Sequence, residues 1–235
     1  YLKKAANCML MNALRFTLIL TLICFSLGGV KAVDYYWVGG SGNWSDISHW
    51  ATTSGGTPFH SVAPTADDDV FFDANSFTGP NQVVTVNNDN IFCRDMDWTA
   101  ATGNPTLRAN RNRVLNVFGS LILQANMTFD FAGDVNLSGT EGDHNVDMAG
   151  HPFQQSLYVE GGGATWTLQS DLEIDSLLQF RAGTFVANAN DITLAYIEIN
   201  STGLGHLIDF NDSEILIIGA DYTINFNQLG PTFDI

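Results

Sequence analysis

"TWTLQSDLEIDSLLQFRAGTFVANANDITLAYIEI", residues 165–199, places apolar side chains two apart in short bursts: Trp166/Leu168, Leu172/Ile174, Leu178/Phe180, then Phe185, Ile192/Leu194 and Ile197/Ile199. Alternation at period two buries one face of a strand, whereas a helix needs apolar residues three and four apart. The first three bursts begin at 166, 172 and 178, too close together for an antiparallel sandwich, whose turn signals fall every ~8–12 residues. Very short strands joined by tight corners suit a parallel β-helix, in which three strands make one coil. Coils stack so that inward residues form continuous apolar ladders. The spacing predicts that Leu121, Leu123, Trp166, Leu168, Leu178, Phe180, Ile192 and Leu194 point inward, with Gly119 and Gly183 at corners.

Working outward, the same alternation covers the chain beyond residue 113. It appears at Leu115/Val117, Leu121/Leu123, Met127/Phe129/Phe131, Val135/Leu137, Val146/Met148 and Leu157/Val159, and later at Ile215/Ile217 and Tyr222/Ile224/Phe226. Gly, Asn, Asp and Ser separate the pairs and tolerate tight turns. The expected fold is all-β: a right-handed parallel β-helix (β-solenoid) over residues 113–235, with a Greek-key β-sandwich as the alternative. Residues 33–112 differ in texture. They hold Trp37, Trp44, Trp50 and Trp98, four of the five tryptophans. A solenoid needs a terminal cap, because its first coil would otherwise expose an apolar face and open strand edges. An aromatic-rich N-terminal cap followed by the first strands, "DVFFDA" and "QVVTV", meets that need. Within it, Trp37 and Trp50 are expected to be buried and "GGSG" to form a hairpin between the rings. Trp44, beside Asn43 and Asp46, is expected to be partly exposed and is the glycan-stacking candidate.

The first residues have another character. Arg15, the apolar run "FTLILTLICFSL" and small Val30 and Ala32 have the form of a signal peptide cleaved after Ala32, with residues 1–10 lying upstream of it. The run is short for a membrane span, which needs ~20 apolar residues. The full chain has 25 acidic and 9 basic residues, a net charge of −16. Lys3, Lys4, Arg15 and Lys31 all precede residue 33, so beyond it five arginines face all 25 acids, a net −20. Such a surface repels nucleic acid and anionic lipid and attracts cations. Cys93 is the one cysteine past residue 32, so that segment has no intrachain disulfide.

"YYWVGGSGNWSDISHWATTSGG" (35–56), "PTADDDVFFDANSF" (64–77), "CRDMDWTAATGNPTL" (93–107) and "LNVFGSLIL" (115–123) together resemble a module of very large secreted surface proteins of Bacteroidetes. The segment 164–194 resembles the strand–Gly–strand repeats of the same proteins, with Asp175 where a corner glycine is usual. The resemblance implies an adhesin-like or gliding-motility-associated protein, exported by a signal peptide and the type IX secretion system. It also implies a C-terminal sorting domain beyond residue 235. The family has no established catalytic residues, so the resemblance assigns none.

Asp67, Asp68, Asp69 and Asp73, with Asn75, form the densest carboxylate cluster and are the candidate calcium ligands, since calcium takes hard oxygen donors. Glu141, Asp143 and Asp147 form a second, looser group. Neither matches an EF-hand loop, and "ADDD" before a strand also suits a solvated corner. The histidines His49, His60, His144, His151 and His206 lack HxH or HExxH spacing. No GxSxG, P-loop or dinucleotide fingerprint occurs. "RANRNR" (108–113) suits either an acidic polymer or a soluble turn, and Cys93 reads as a packed thiol. The expectation is a secreted, non-enzymatic stalk or adhesin module, with surface glycans or other cell-surface proteins as partners and no cofactor beyond possible calcium. A carbohydrate-active β-helix enzyme and a calcium-dependent glycan-binding module stand as alternatives.

Overall fold

The computed structural model describes residues 32–199, 206–219 and 224–226. The expected leader, but for Ala32, lies outside these residues, as does Tyr222. The chain enters as β1 (Asp34–Trp37), crosses to β2 (Gly42–Asn43), passes a 3-10 turn (Ile47–His49) and returns as β3 (Trp50–Ala51). Regular winding starts with β4 (Asp69–Phe71), β5 (Val83–Val86) and β6 (Asn90–Cys93), which make one coil. The next two coils are β7 (Met96–Asp97), β8 (Thr106–Ala109) and β9 (Val114–Val117), then β10 (Leu121–Ile122), β11 (Thr128–Phe131) and β12 (Asp134–Leu137). They are followed by β13 (Gly142–Asp147), β14 (Leu157–Val159), β15 (Ala164–Leu168) and β16 (Leu172–Phe180). The last are β17 (Gly183–Val186), β18 (Ile192–Ile199), β19 (His206–Asp209), β20 (Ile215–Ile217) and β21 (Ile224–Phe226).

These strands stack into three sheets. Face A runs β3-β1-β4-β7-β10-β13-β15-β17-β19, face B runs β2-β5-β8-β11, and face C runs from β6 through β9, β12, β14, β16 and β18 to β20 and β21. Every pairing between named strands is parallel except β1 with β3. The fold is a parallel β-solenoid of about six turns, all-β, with an aromatic cluster near its N-terminal end. A Greek-key sandwich, built of antiparallel pairs, is excluded. Complete three-strand coils begin at β4, with β1 and β2 already paired in parallel to β4 and β5, so residues 33–112 hold both the cap and the first coils. Strand β16 passes a corner without breaking, because the register shifts between Ile174 and Leu177. Asp175 sits in that shift, where the repeat pattern would place a corner glycine.

The core is the interior of the coils. All eight residues expected to point inward are buried, each 2% exposed or less. One ladder on face C runs Ile91–Leu115–Val135–Leu157–Leu178–Ile197, each side chain resting on its neighbours in the coils before and after. Full burial of each such residue stabilises the fold by ~1.5–3 kcal/mol.

Two devices set the corners. Gly119, Gly139, Gly161 and Gly183 stack between faces C and A, and a Cβ on any of the last three would lie 2.4 Å or less from a carbonyl oxygen of the preceding coil. Glycine is required there because the backbones approach too closely for a side chain. Beside this column, a polar side chain of each coil accepts a backbone N–H of the next. Asp69 accepts from Asp95 (3.2 Å), Asp95 from Ser120 (2.6 Å) and Ser120 from Asn145 (3.1 Å). At another corner Asp171 accepts from Asp191 and Asp191 from Glu214, both at 2.9 Å. Part of the acidic composition is therefore structural: these carboxylates satisfy donors that leave the sheet ladders at each bend.

Candidate functional site

The tryptophan-rich segment is a cap, and its rings face inward. Trp37, Trp44 and Trp50 are each 1% exposed or less. Trp50 meets Trp37 and Trp44 edge to face at 4.9 and 4.8 Å, and Phe72 of the first coil at 6.0 Å. Phe72 in turn stacks on Trp98 at 3.6 Å. Two of the buried indole N–H groups find carbonyls: Trp37 donates to Gly40 (2.7 Å) and Trp50 to Trp44 (2.8 Å). Partial exposure of Trp44 is thereby corrected, and with it the stacking role. Its backbone is drawn in as well, since Trp44 N donates to Thr85 O at 2.8 Å.

The expected hairpin is also corrected. Gly39 and Gly40, both at φ +83°, turn the chain from face A to face B, and the antiparallel return comes only after the 3-10 turn. The left-handed backbone at both residues favours glycine. Asp46 caps the 3-10 turn by accepting from the Ser48 amide (3.0 Å) and hydroxyl (2.7 Å), bonds that hold its carboxyl below the usual range.

The four candidate calcium ligands are dispersed into separate tasks. Asp67 is exposed. Asp68 is buried and accepts from the Thr65 amide and hydroxyl at 2.9 and 2.7 Å. Asp69 is gripped by Arg94, whose Nε lies 2.6 Å from Oδ1 and whose Nη2 bonds Oδ2. Asp73 accepts from the Asn75 amide at 2.8 Å. Among the described residues no three His, Cys, Asp or Glu side chains converge in a way that could hold a metal ion.

Four of the arginines and four of the histidines are similarly engaged. Arg108 lies on strand β8 rather than in a turn and pairs with Asp130 at 2.7 Å. Arg113 pairs with Asp89 and Arg181 with Glu160. Ring nitrogens of His49, His60, His144 and His151 each meet a backbone carbonyl, those of Val38, Asp34, Glu141 and Gln124 respectively. These rings tie loops to coils.

Cys93 lies at an inward position of β6 and is fully buried. Burial, then Asp95 and Asp69, push its thiol well above the ordinary value of 9.0. Below that value the thiol is protonated in both folded and unfolded chains, so its contribution is fully present. Above it the unfolded chain ionises first, and stability should fall by ~1.4 kcal/mol per pH unit. Urea unfolding of wild type and Cys93→Ala on either side of that pH should show a steeper alkaline loss in the wild type. Equal losses would mean that the thiol ionises freely in the fold.

The exposed chemistry is in the outward rows. On face C, Phe92, Asn116, Asn136, Tyr158, Gln179 and Glu198 align in register. This row is internally satisfied: Asn136 donates to Asn116 (3.0 Å), Gln179 donates to Glu198, and Arg181 covers the Tyr158 ring at 4.3 Å. On face A, Phe59, Ala51, Tyr36, Phe71 and Asp97 align instead. Their row mates on the inner side are Trp50 and Trp37, so these side chains point outward. Tyr36 and Phe71 are half-buried and stack at 5.1 Å, and Phe59 is 46% exposed. Burial, Asp34 and Asp73 together raise the Tyr36 phenol above its ordinary range.

Sequence alternation placed Tyr36 beside Trp37 but could not reveal the outward row, because its members lie at 36, 51, 59 and 71 and meet only through coil register. No family model, curated protein or solved structure matches the chain.

Proposed function

We propose that the chain is a secreted, non-catalytic surface protein in which an aromatic cap closes one end of a solenoid that serves as a stalk or adhesive array. The observation that supports this most is the coil-on-coil architecture itself. Each coil contacts its neighbours through parallel pairing and inward ladders, so length is gained by adding coils of ~20 residues without changing the cross-section. One end is sealed by an antiparallel strand, β3, over buried tryptophans. The outward rows present side chains at the ~4.8 Å spacing of adjacent strands, a regular surface suited to repeated weak contacts.

The resemblance to large exported Bacteroidetes surface proteins supplies the cellular setting, and the leader-like residues before Val33 agree with it. The test is an antibody against the folded chain applied to intact cells of the source organism. Labelling of intact cells, removed by external protease, is expected. Label that appears only after permeabilisation would overturn the surface assignment.

A further inference from the structure

We propose that the outward aromatic row of the cap on face A is a docking surface for a basic, lysine- or arginine-rich segment of a partner protein. The row consists of Phe59, Tyr36 and Phe71, with the buried Ala51 between Phe59 and Tyr36. Three carboxylates lie around it: Asp34 two residues before Tyr36 on the same face of β1, Asp73 two residues after Phe71, and Asp97 next in the row.

These carboxylates differ from the others of the corner. Asp69 pairs closely with Arg94, which also lies 4.0 Å from Asp95. Asp34, Asp73 and Asp97 form no ion pair among the described residues, although Arg94, held by Asp69, also feels the charge of Asp34. Asp73 and Asp97 each use one oxygen on local donors, Asp97 accepting from the Thr99 amide and hydroxyl at 2.8 and 2.7 Å. Asp34 receives only the Tyr36 hydroxyl, at 3.4 Å. Each therefore keeps an oxygen with no protein donor among the described residues.

A partly exposed aromatic row bordered by carboxylates without an ion pair has the chemistry that recognises a cation on an apolar stem. The stem of a lysine or arginine lies against the rings, and its charge reaches the carboxylates. Anionic polymers are repelled by the same groups, and a neutral glycan can donate its hydroxyls to them but leaves their charge uncompensated. The inference deepens the adhesive reading and rests on it for the kind of partner. Surface labelling and peptide binding are separate measurements, so either can fail alone.

The experiment is a titration of the full chain with a fluorescent oligolysine peptide at physiological salt, followed by anisotropy. Phe71→Ser and Phe59→Ser leave the net charge unchanged and are expected to weaken binding about fivefold each. Phe59 is largely outside the core, so its variant remains informative if Phe71→Ser loses stability. Asp34→Asn and Asp97→Asn should also weaken binding, whereas Asp143→Asn, an exposed acid several coils away on the same face, should not. Equal affinity of wild type and both serine variants would show general attraction to an acidic surface and overturn the site. Binding of a neutral oligosaccharide that is lost in the serine variants, with oligolysine unaffected, would overturn the basic partner in favour of a glycan.

Discussion

Leu178→Asp should abolish cooperative folding of the solenoid. Leu178 is 0% exposed and pairs with Leu157 on one side and Ile197 on the other, in the middle of the face C ladder. The substitution removes apolar contacts to both neighbouring coils and places a carboxylate where no donor waits. An unpaired charge in such a site either remains ionised at a cost of several kcal/mol or takes up a proton at a cost of several pKa units. Domains have ~5–15 kcal/mol of net stability, and a loss above ~4 kcal/mol is enough to unfold many of them. Circular dichroism and urea titration should show no cooperative transition at room temperature. Thr184→Asp provides the contrast, because Thr184 lies on the outward side, between the inward Gly183 and Phe185, is only half-buried, and pairs with the uncharged Thr165 and Leu207. Its variant should melt close to wild type. A folded Leu178→Asp protein with unchanged melting would mean that the inward register is wrong.

That register was legible in the sequence because inward positions obey a local rule. A residue two places from Leu178 on the same strand, Phe180, must share its face, and the short spacing between bursts left room only for tight corners. The glycines at 119 and 183 were legible for the same reason, but their alignment with Gly139 and Gly161 was not. It depends on coil lengths that vary from one turn to the next: Trp166 pairs with Phe185, whereas Phe185 pairs with Ile208. Outward residues follow no local rule at all. Tyr36, Ala51, Phe59 and Phe71 are brought together by an antiparallel return and a parallel coil, two long-range decisions that no window of neighbours records. The cap tryptophans show the same limit. Burial of Trp37 and Trp50 follows from alternation, whereas Trp44, beside Asn43 and Asp46, is expected to be partly exposed. In the structure those two residues serve the corner and the 3-10 turn, while the ring between them turns in against Trp50.

Trp50→Ala should lower stability by ~3–5 kcal/mol, the range found for large buried aromatics cut to alanine. Trp50 is the hub of the cap: its ring touches those of Trp37, Trp44, Tyr35 and Phe72, and its N–H holds the Trp44 carbonyl. Removing it opens a cavity too central for the remaining rings to fill and leaves the Trp44 carbonyl without its donor. Trp44→Ala should cost less than Trp50→Ala, because among the described residues the Trp44 ring meets two aromatic rings, Trp50 and Phe72, against four for Trp50. A second effect follows from position. The cap covers the end of an apolar stack and holds β3 against β1, so a loosened cap exposes both a hydrophobic face and an unpaired strand edge. The alanine variant should therefore self-associate at concentrations where the wild type does not, seen by light scattering alongside the fall in melting temperature. Destabilisation without association would show that the lower coils close the end by themselves. Neither effect would mean that the tryptophans are not the seal of the solenoid.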